Sequence, residues 1–159
     1  FDSMIREVVD SYDGEEALHD FVVTLVGETS QIIADRLRLK QVVDHLISNA
    51  VKYAPEGGRV SVELNLNDDK YELIVEDEGI GMDEGQLVHV FDRFYRVDSS
   101  DTAVQGVGLG MSIVRNIVLA HLGDIQIESQ LGRGTRVMIS LPKSPSEGQL
   151  ESPLPFSAS

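Results

Sequence analysis

The chain has 159 residues, 42% of them hydrophobic, and a formal net charge of −14 at pH 7. That length and apolar content suit one domain with a real core and exclude a disordered polymer. No apolar run approaches the ~20 residues of a membrane span, no signal peptide is visible, and the absence of cysteine excludes a disulfide framework or a thiolate metal site. The acidic balance argues against a basic surface for DNA or RNA. It leaves room for a small anion such as a nucleotide, because a local cluster of donors with a divalent cation holds phosphates even on an acidic protein. These properties suit a cytosolic domain that makes no direct membrane contact. A start at Phe1 reads as a fragment of something longer, or as a processed chain.

Phe1 to Tyr12 reads as a brief extended start and a short helix, with Ile5, Val8 and Val9 on one face. Asp13 to Asp20 is polar and reads as a loop. Phe21 to Val26 is apolar and β-branched, hence a strand. Ile32-Ile33 is expected as a short strand leading to a long helix, with Asp35 near the helix N-terminus. The amphipathic pattern of that helix runs from about Ala34 to Tyr53. At about 100° per residue, Leu39, Val42, Val43, Leu46, Ile47 and Ala50 share its core face. His45, Asn49 and Lys52 form a second stripe along the edge of that face, and Tyr53 sits between the stripes. Pro55-Glu-Gly-Gly58 stops the helix.

Two strands follow, Val60–Leu66 and Tyr71–Asp77, joined by a turn at Asn67-Asp-Asp69 that favours an antiparallel pair. The period of two puts Asp77 on the apolar face of Tyr71, Leu73 and Val75, where a carboxylate is costly unless something partners it. A short helical piece spans Asp83 to about Phe91. Phe91-Asp-Arg-Phe-Tyr-Arg96 and a polar stretch, Val97 to Gln105, come next. Gly106-Val-Gly-Leu-Gly110 opens a third helix with Ile113, Ile117, Val118 and Leu122 at helical spacing, and Gly123 is its expected C-terminal stop. Ile125–Ser129 and Thr135–Leu141 read as two closing strands around Gly132 and Gly134. The domain is read as residues 1–142, and 143–159, with its prolines and serines, as a disordered tail. The fold class is α+β, with helices on one face of a mixed sheet.

Three pieces carry chemistry. The His45, Asn49, Lys52 row is either a solvated helix flank or a ligand-facing stripe, since a helix does not need such a row in order to fold. Asp77-Glu-Gly-Ile-Gly81 is either a plain strand-to-turn junction or an acceptor for an exocyclic amine, with Gly79 and Gly81 letting a planar ligand come close. Gly106, Val107, Gly108, Leu109 and Gly110 ahead of a helix form a candidate anion site. This run is neither a dinucleotide-binding fingerprint nor a phosphate-binding P-loop, because a polar loop precedes it and no Gly-Lys-Ser/Thr follows. Arg93, Arg96 and Lys52 offer charge to phosphate oxygens or to surface salt bridges.

Taken in order, these pieces resemble the catalytic and ATP-binding domain of sensor histidine kinases. His45 to Asn49 with Lys52-Tyr53 resembles the N box and Asp77 to Gly81 the G1 box. Phe91 to Arg96 resembles the F box, Gly106 to Gly110 the G2 box, and Gly132 to Thr135 the last glycine motif. The likeness covers about Phe1 to Pro142. It implies a Bergerat-type two-layer sandwich, with a mixed sheet of about five strands on three helices, and ATP with Mg²⁺ as cofactors. It further implies that Asn49 holds the Mg²⁺ and that Asp77 accepts from the adenine amine. Tyr53 would pack near the base, Lys52 and Arg96 would reach phosphate, and Thr135 would lie near adenine, bridged to it by water. Gly106, Gly108 and Gly110 would hinge an ATP lid spanning roughly Gln86 to Gln105.

The resemblance also implies partners that this chain lacks. The family's phosphoacceptor histidine lies in a separate helical hairpin, the dimerisation domain, in an H-[ED]-x-x-x-P context. None of His19, His45, His89 or His121 has that context. A response regulator is the expected downstream partner, and the full-length kinase is expected to be either soluble or anchored in a membrane. The same fold also hosts ATP hydrolases, which carry a general-base Glu four residues before the Asn. Here that position is His45, and the neighbouring acid, Asp44, is turned away by the helical period. A non-catalytic nucleotide-binding or docking module is the reading from another class.

Overall fold

The computed structural model describes residues 1–12, 14, 18–27, 32–67, 69–93 and 110–143. In chain order the elements are α1 (Asp2–Tyr12), β1 (His19–Val26), α2 (Arg36–Lys52), β2 (Gly58–Leu66) and β3 (Lys70–Asp77). They continue with α3 (Glu84–His89), α4 (Gly110–Ala120), β4 (Asp124–Gln130) and β5 (Gly134–Pro142).

The strands form one mixed sheet in the order β1-β2-β3-β5-β4. β1 and β2 are parallel, a pairing that needs the crossover α2 supplies, and every other pair is antiparallel. α1, α2 and α4 cover one face. Their apolar stripes, with Ile5 and Val8 on α1, Val43 and Ile47 on α2, and Val114 and Val118 on α4, meet Val60, Val62, Leu73, Val75 and Ile139 of the sheet. The six residues expected on the core face of α2 are the six that are buried there. Among the described residues no helix covers the opposite face, which presents Glu63, Glu72 and Glu76 to water. The result is a two-layer α+β sandwich.

Local chemistry explains the helix ends. Asp35 caps α2, its carboxylate accepting the Arg38 N–H at 3.1 Å. Asp83 and Gln86 exchange side-chain-to-backbone bonds at 2.9 Å in a capping box that starts α3.

Three sequence expectations need correction. Ile32 and Ile33 are not a strand. Ile32 packs on the rim of the core, and the chain runs straight into the Asp35 cap, leaving no strand for a partner. The loop expected through Asp20 ends earlier, because β1 already starts at His19 and pairs there with Gly58. Finally, the left-handed residue that ends α4 is Leu122, with φ 59°, rather than Gly123. Gly123 is needed for contact instead: a Cβ there would lie 2.4 Å from the Ser140 carbonyl oxygen. The expected tail falls almost wholly outside the described residues.

Candidate nucleotide site

The sheet register brings five residues into one row on the helix-facing side. Phe21 pairs with Val60, Val60 with Asp77, Asp77 with Thr135 and Thr135 with Ser129. Neighbouring strands lie about 4.8 Å apart, so the row is continuous across the sheet. On the β1–β2 side it is apolar. On β3, β5 and β4 it is carboxylate, hydroxyl and hydroxyl, which marks the place where the core gives way to a polar shelf.

Asp77 is buried, with 8% of its surface exposed, and burial pushes its carboxyl pKa up. The backbone groups of Gly79 and Thr135 pull the other way without reversing the shift. One carboxylate oxygen accepts the Gly79 N–H at 2.8 Å. The carboxylate remains an acceptor with capacity to spare.

The loop after Asp77 is held on two sides. The Ile80 N–H donates to the carbonyl of Tyr53, the C-cap of α2, at 2.9 Å. A Cβ on Gly79 would stand 2.2 Å from that same Tyr53 oxygen, so only glycine permits the approach. On the other side the Gly132 N–H donates to the Ile80 carbonyl at 2.7 Å, and Gly81 packs against the Gln130 carbonyl. The sequence order Asn helix, D-x-G-x-G, late glycine hairpin is therefore also a spatial order.

The α2 stripe flanks this loop. His45, Asn49, Lys52 and Tyr53 are all half-buried at the edge of the core face. The Lys52 ammonium lies 5.2 Å from the centre of the Tyr53 ring. A Cβ on Gly110 would come 3.8 Å from the His45 ring, so the first residue of α4 abuts the stripe. Asp44 points elsewhere, as the helical period indicates, and accepts the Tyr12 hydroxyl at 2.9 Å. Phe91 sits under the Arg115 guanidinium of α4 at 5.2 Å.

Asn49, Lys52, Tyr53, Asp77, Gly79, Gly81 and Thr135 thus converge on one end of the sandwich, with His45 and Gly110 beside them. Arg96, Gly106, Val107, Gly108 and Leu109 lie outside the described residues, as does most of the expected lid. Its first part, Gln86 to His89, is the capped helix α3. Sequence reading passed over Ser129, although the alternation of Ile125, Ile127 and Ser129 signalled a polar group on the core face just as it did for Asp77.

A family model described as histidine kinase-, DNA gyrase B- and HSP90-like ATPase matches residues 34–145. The chain belongs to that family. It is 39% identical over 139 residues to the sensor histidine kinase WalK of Bacillus subtilis (strain 168), a match covering 85% of this chain and 23% of WalK. Among solved structures it is similar to the mycobacterial sensor histidine kinase MprB. That similarity has a TM-score of 0.77 and 31% identity, and covers 91% of this chain and 96% of the other. It is also similar to full-length ShkA in complex with AMPPNP, with a TM-score of 0.77 and 25% identity over 89% of this chain and 29% of ShkA. Within the family the chain is therefore a sensor histidine kinase catalytic, ATP-binding domain, and it spans about a quarter of the length of WalK. No helix among the described residues is long and apolar enough to cross a membrane.

Proposed function

We propose that this domain holds Mg-ATP at the Asp77 end of the sandwich and transfers its γ-phosphoryl group to a histidine on a separate helical hairpin of the same full-length kinase. A response regulator would then take the phosphoryl group onward, on the cytoplasmic side of any membrane anchor. The observation that carries this reading is the buried Asp77 carboxylate at the edge of an acceptor shelf, next to the half-buried Asn49 stripe. The ShkA complex with AMPPNP supports the choice of an adenine nucleotide.

Each group then has a role. Asp77 accepts from the adenine amine, Tyr53 packs near the base, and Gly79 and Gly81 leave room for it. Thr135 contacts the base edge. Asn49 offers its amide oxygen to Mg²⁺. Mg²⁺ keeps several waters and is bound by few protein ligands plus substrate phosphates, so a single amide oxygen would suffice from the protein side. Bound there, the ion would neutralise charge on the phosphates. Lys52, with Arg96 and the run from Gly106 to Gly110, would add donors to phosphate oxygens. Catalysis on this plan is positioning and charge stabilisation. The attacking nitrogen comes from outside, because none of the four histidines here has the acceptor context; His45 standing where the family's hydrolases carry a Glu argues against water as the acceptor.

The test is transfer in trans. The domain is mixed with its kinase's hairpin domain and ATP labelled at the γ-phosphate. Label on the hairpin histidine is expected. Release of inorganic phosphate without hairpin labelling would overturn the proposal in favour of a hydrolase.

A further inference from the structure

Ser129 makes three polar contacts that together fix where two protons lie. Its oxygen accepts the Met82 N–H at 2.8 Å. Its hydroxyl lies 2.8 Å from the Gly134 carbonyl oxygen and 2.9 Å from the Thr135 hydroxyl. A carbonyl can only accept, so all three contacts are hydrogen bonds at once only with the single Ser129 proton on Gly134. The Thr135 hydroxyl must then donate to Ser129. With its own proton spent, Thr135 presents only lone pairs to the site, and the neighbouring Asp77 carboxylate presents only lone pairs as well.

From this network we infer that Ser129 is a positioning residue for base selection: it locks Thr135 as an acceptor, so that the shelf favours a purine with an amine at position 6 over one with a carbonyl there. The inference rests on the nucleotide reading proposed above. Adenine offers N–H₂ at that position and finds acceptors. A 6-oxo purine offers a carbonyl oxygen and meets lone pairs from Asp77 and Thr135 at that position, a mispairing that a site built to bond one edge penalises strongly, and its added N1–H donor offsets this only where it too reaches an acceptor. Ser129 itself touches no nucleotide in this scheme. It acts through Thr135, and through Met82 it also ties the loop after Asp77 to the β4–β5 hairpin.

A residue that merely glued the hairpin would alter all nucleotide affinities together. A residue that locks the Thr135 proton changes their ratio. Removing the Ser129 oxygen frees the Thr135 proton, which can then donate to a 6-oxo group. The probes are ADP and inosine 5′-diphosphate with Mg²⁺, titrated calorimetrically against wild type, Ser129→Ala and Ser129→Thr. In Ser129→Ala the preference for ADP over inosine diphosphate should fall about tenfold, roughly the effect of one hydrogen bond. Ser129→Thr keeps a hydroxyl on the strand and should keep the wild-type preference. Should Ser129→Ala fail to fold, Ser129→Cys reads the same ratio, because a thiol is a weak donor and acceptor. A ratio unchanged in the folded variant, with wild type binding ADP, overturns the inference and leaves the nucleotide site standing. Wild type binding neither diphosphate overturns both.

Discussion

Gly134 approaches Asp77 so closely that a Cβ on the glycine would lie 1.9 Å from the Asp77 carbonyl oxygen. The two residues are on adjacent strands, and the glycine has φ 93°, in the region that side chains disfavour. One residue later comes Thr135, so this contact sets the height of the shelf beside the Asp77 carboxylate. Gly134→Ala meets backbone rather than a flexible side chain, and the strands must part. We expect a loss of about 2–4 kcal/mol of stability, read as a lower urea midpoint. A change under about 0.5 kcal/mol, the scale of an inert surface substitution, would show that the hairpin yields freely there.

Asp77→Asn separates recognition from folding. The amide turns a donor toward the adenine amine, and Mg-ADP binding should weaken by ~2–4 kcal/mol. The apo fold should respond with the opposite sign. Burial raises the folded carboxyl pKa above its ordinary value of 3.8. The native state therefore binds this proton more tightly than the unfolded chain does. That contribution is complete below the unfolded pKa and is lost as pH rises through the folded one. Asparagine does not ionise. The variant should thus gain stability relative to wild type as pH is raised from about 3 to 7, the range across which an ordinary carboxyl ionises. Urea midpoints of both proteins across that range check this. A constant difference, or an unweakened ADP titration, would contradict it.

Asp77 could be read from the sequence because a charge at a core-face position of an alternating strand breaks a pattern. Ser129 breaks the same pattern in β4, but a half-buried hydroxyl is cheap and raises no alarm. The Leu122 turn could not be read at all, since a left-handed leucine is imposed by its surroundings and glycine next door was the natural choice. Gly134 looked like a turn residue. Its real neighbour, Asp77, lies on another strand, and only the β3–β5 register reveals it. Ile32-Ile33 shows the converse error, where local β propensity had no partner strand to use.

Asn49→Ala tests the metal role. Asn49 is half-buried on the edge of α2, and alanine is the better helix former, so stability should stay within about 0.5 kcal/mol. Titration with ADP should show the Mg²⁺ dependence of wild type disappear, with at least a tenfold loss in the presence of the ion, roughly 1.4 kcal/mol. Phosphoryl transfer to the hairpin domain should stop. A variant with an intact Mg²⁺ effect would assign the ion to other groups.

Alone, the domain should neither label itself from ATP nor hydrolyse it at an appreciable rate. Three of its histidines are engaged: His19 with the Ala54 carbonyl at 2.9 Å, His89 with Asp92 at 2.7 Å and His121 with the Ile117 carbonyl at 2.8 Å. The fourth, His45, is half-buried beside Gly110, and Asp44, the acid next to it, is occupied by Tyr12. Phosphate release over hours of incubation is the measurement. Rapid turnover lost in His45→Ala would make His45 a base for water.

The row from Phe21 to Ser129 also has a temporal meaning. Its members come from five strands, and the last of them to be synthesised, Thr135, belongs to the final strand of the sheet. On a ribosome, where the N-terminal part emerges first, Asp77 appears well before Thr135 and Ser129 can stand beside it. An earlier fragment carries Asp77 and the α2 stripe but not the hydroxyl half of the row. The complete shelf therefore waits until β5 has been made and has paired with β3.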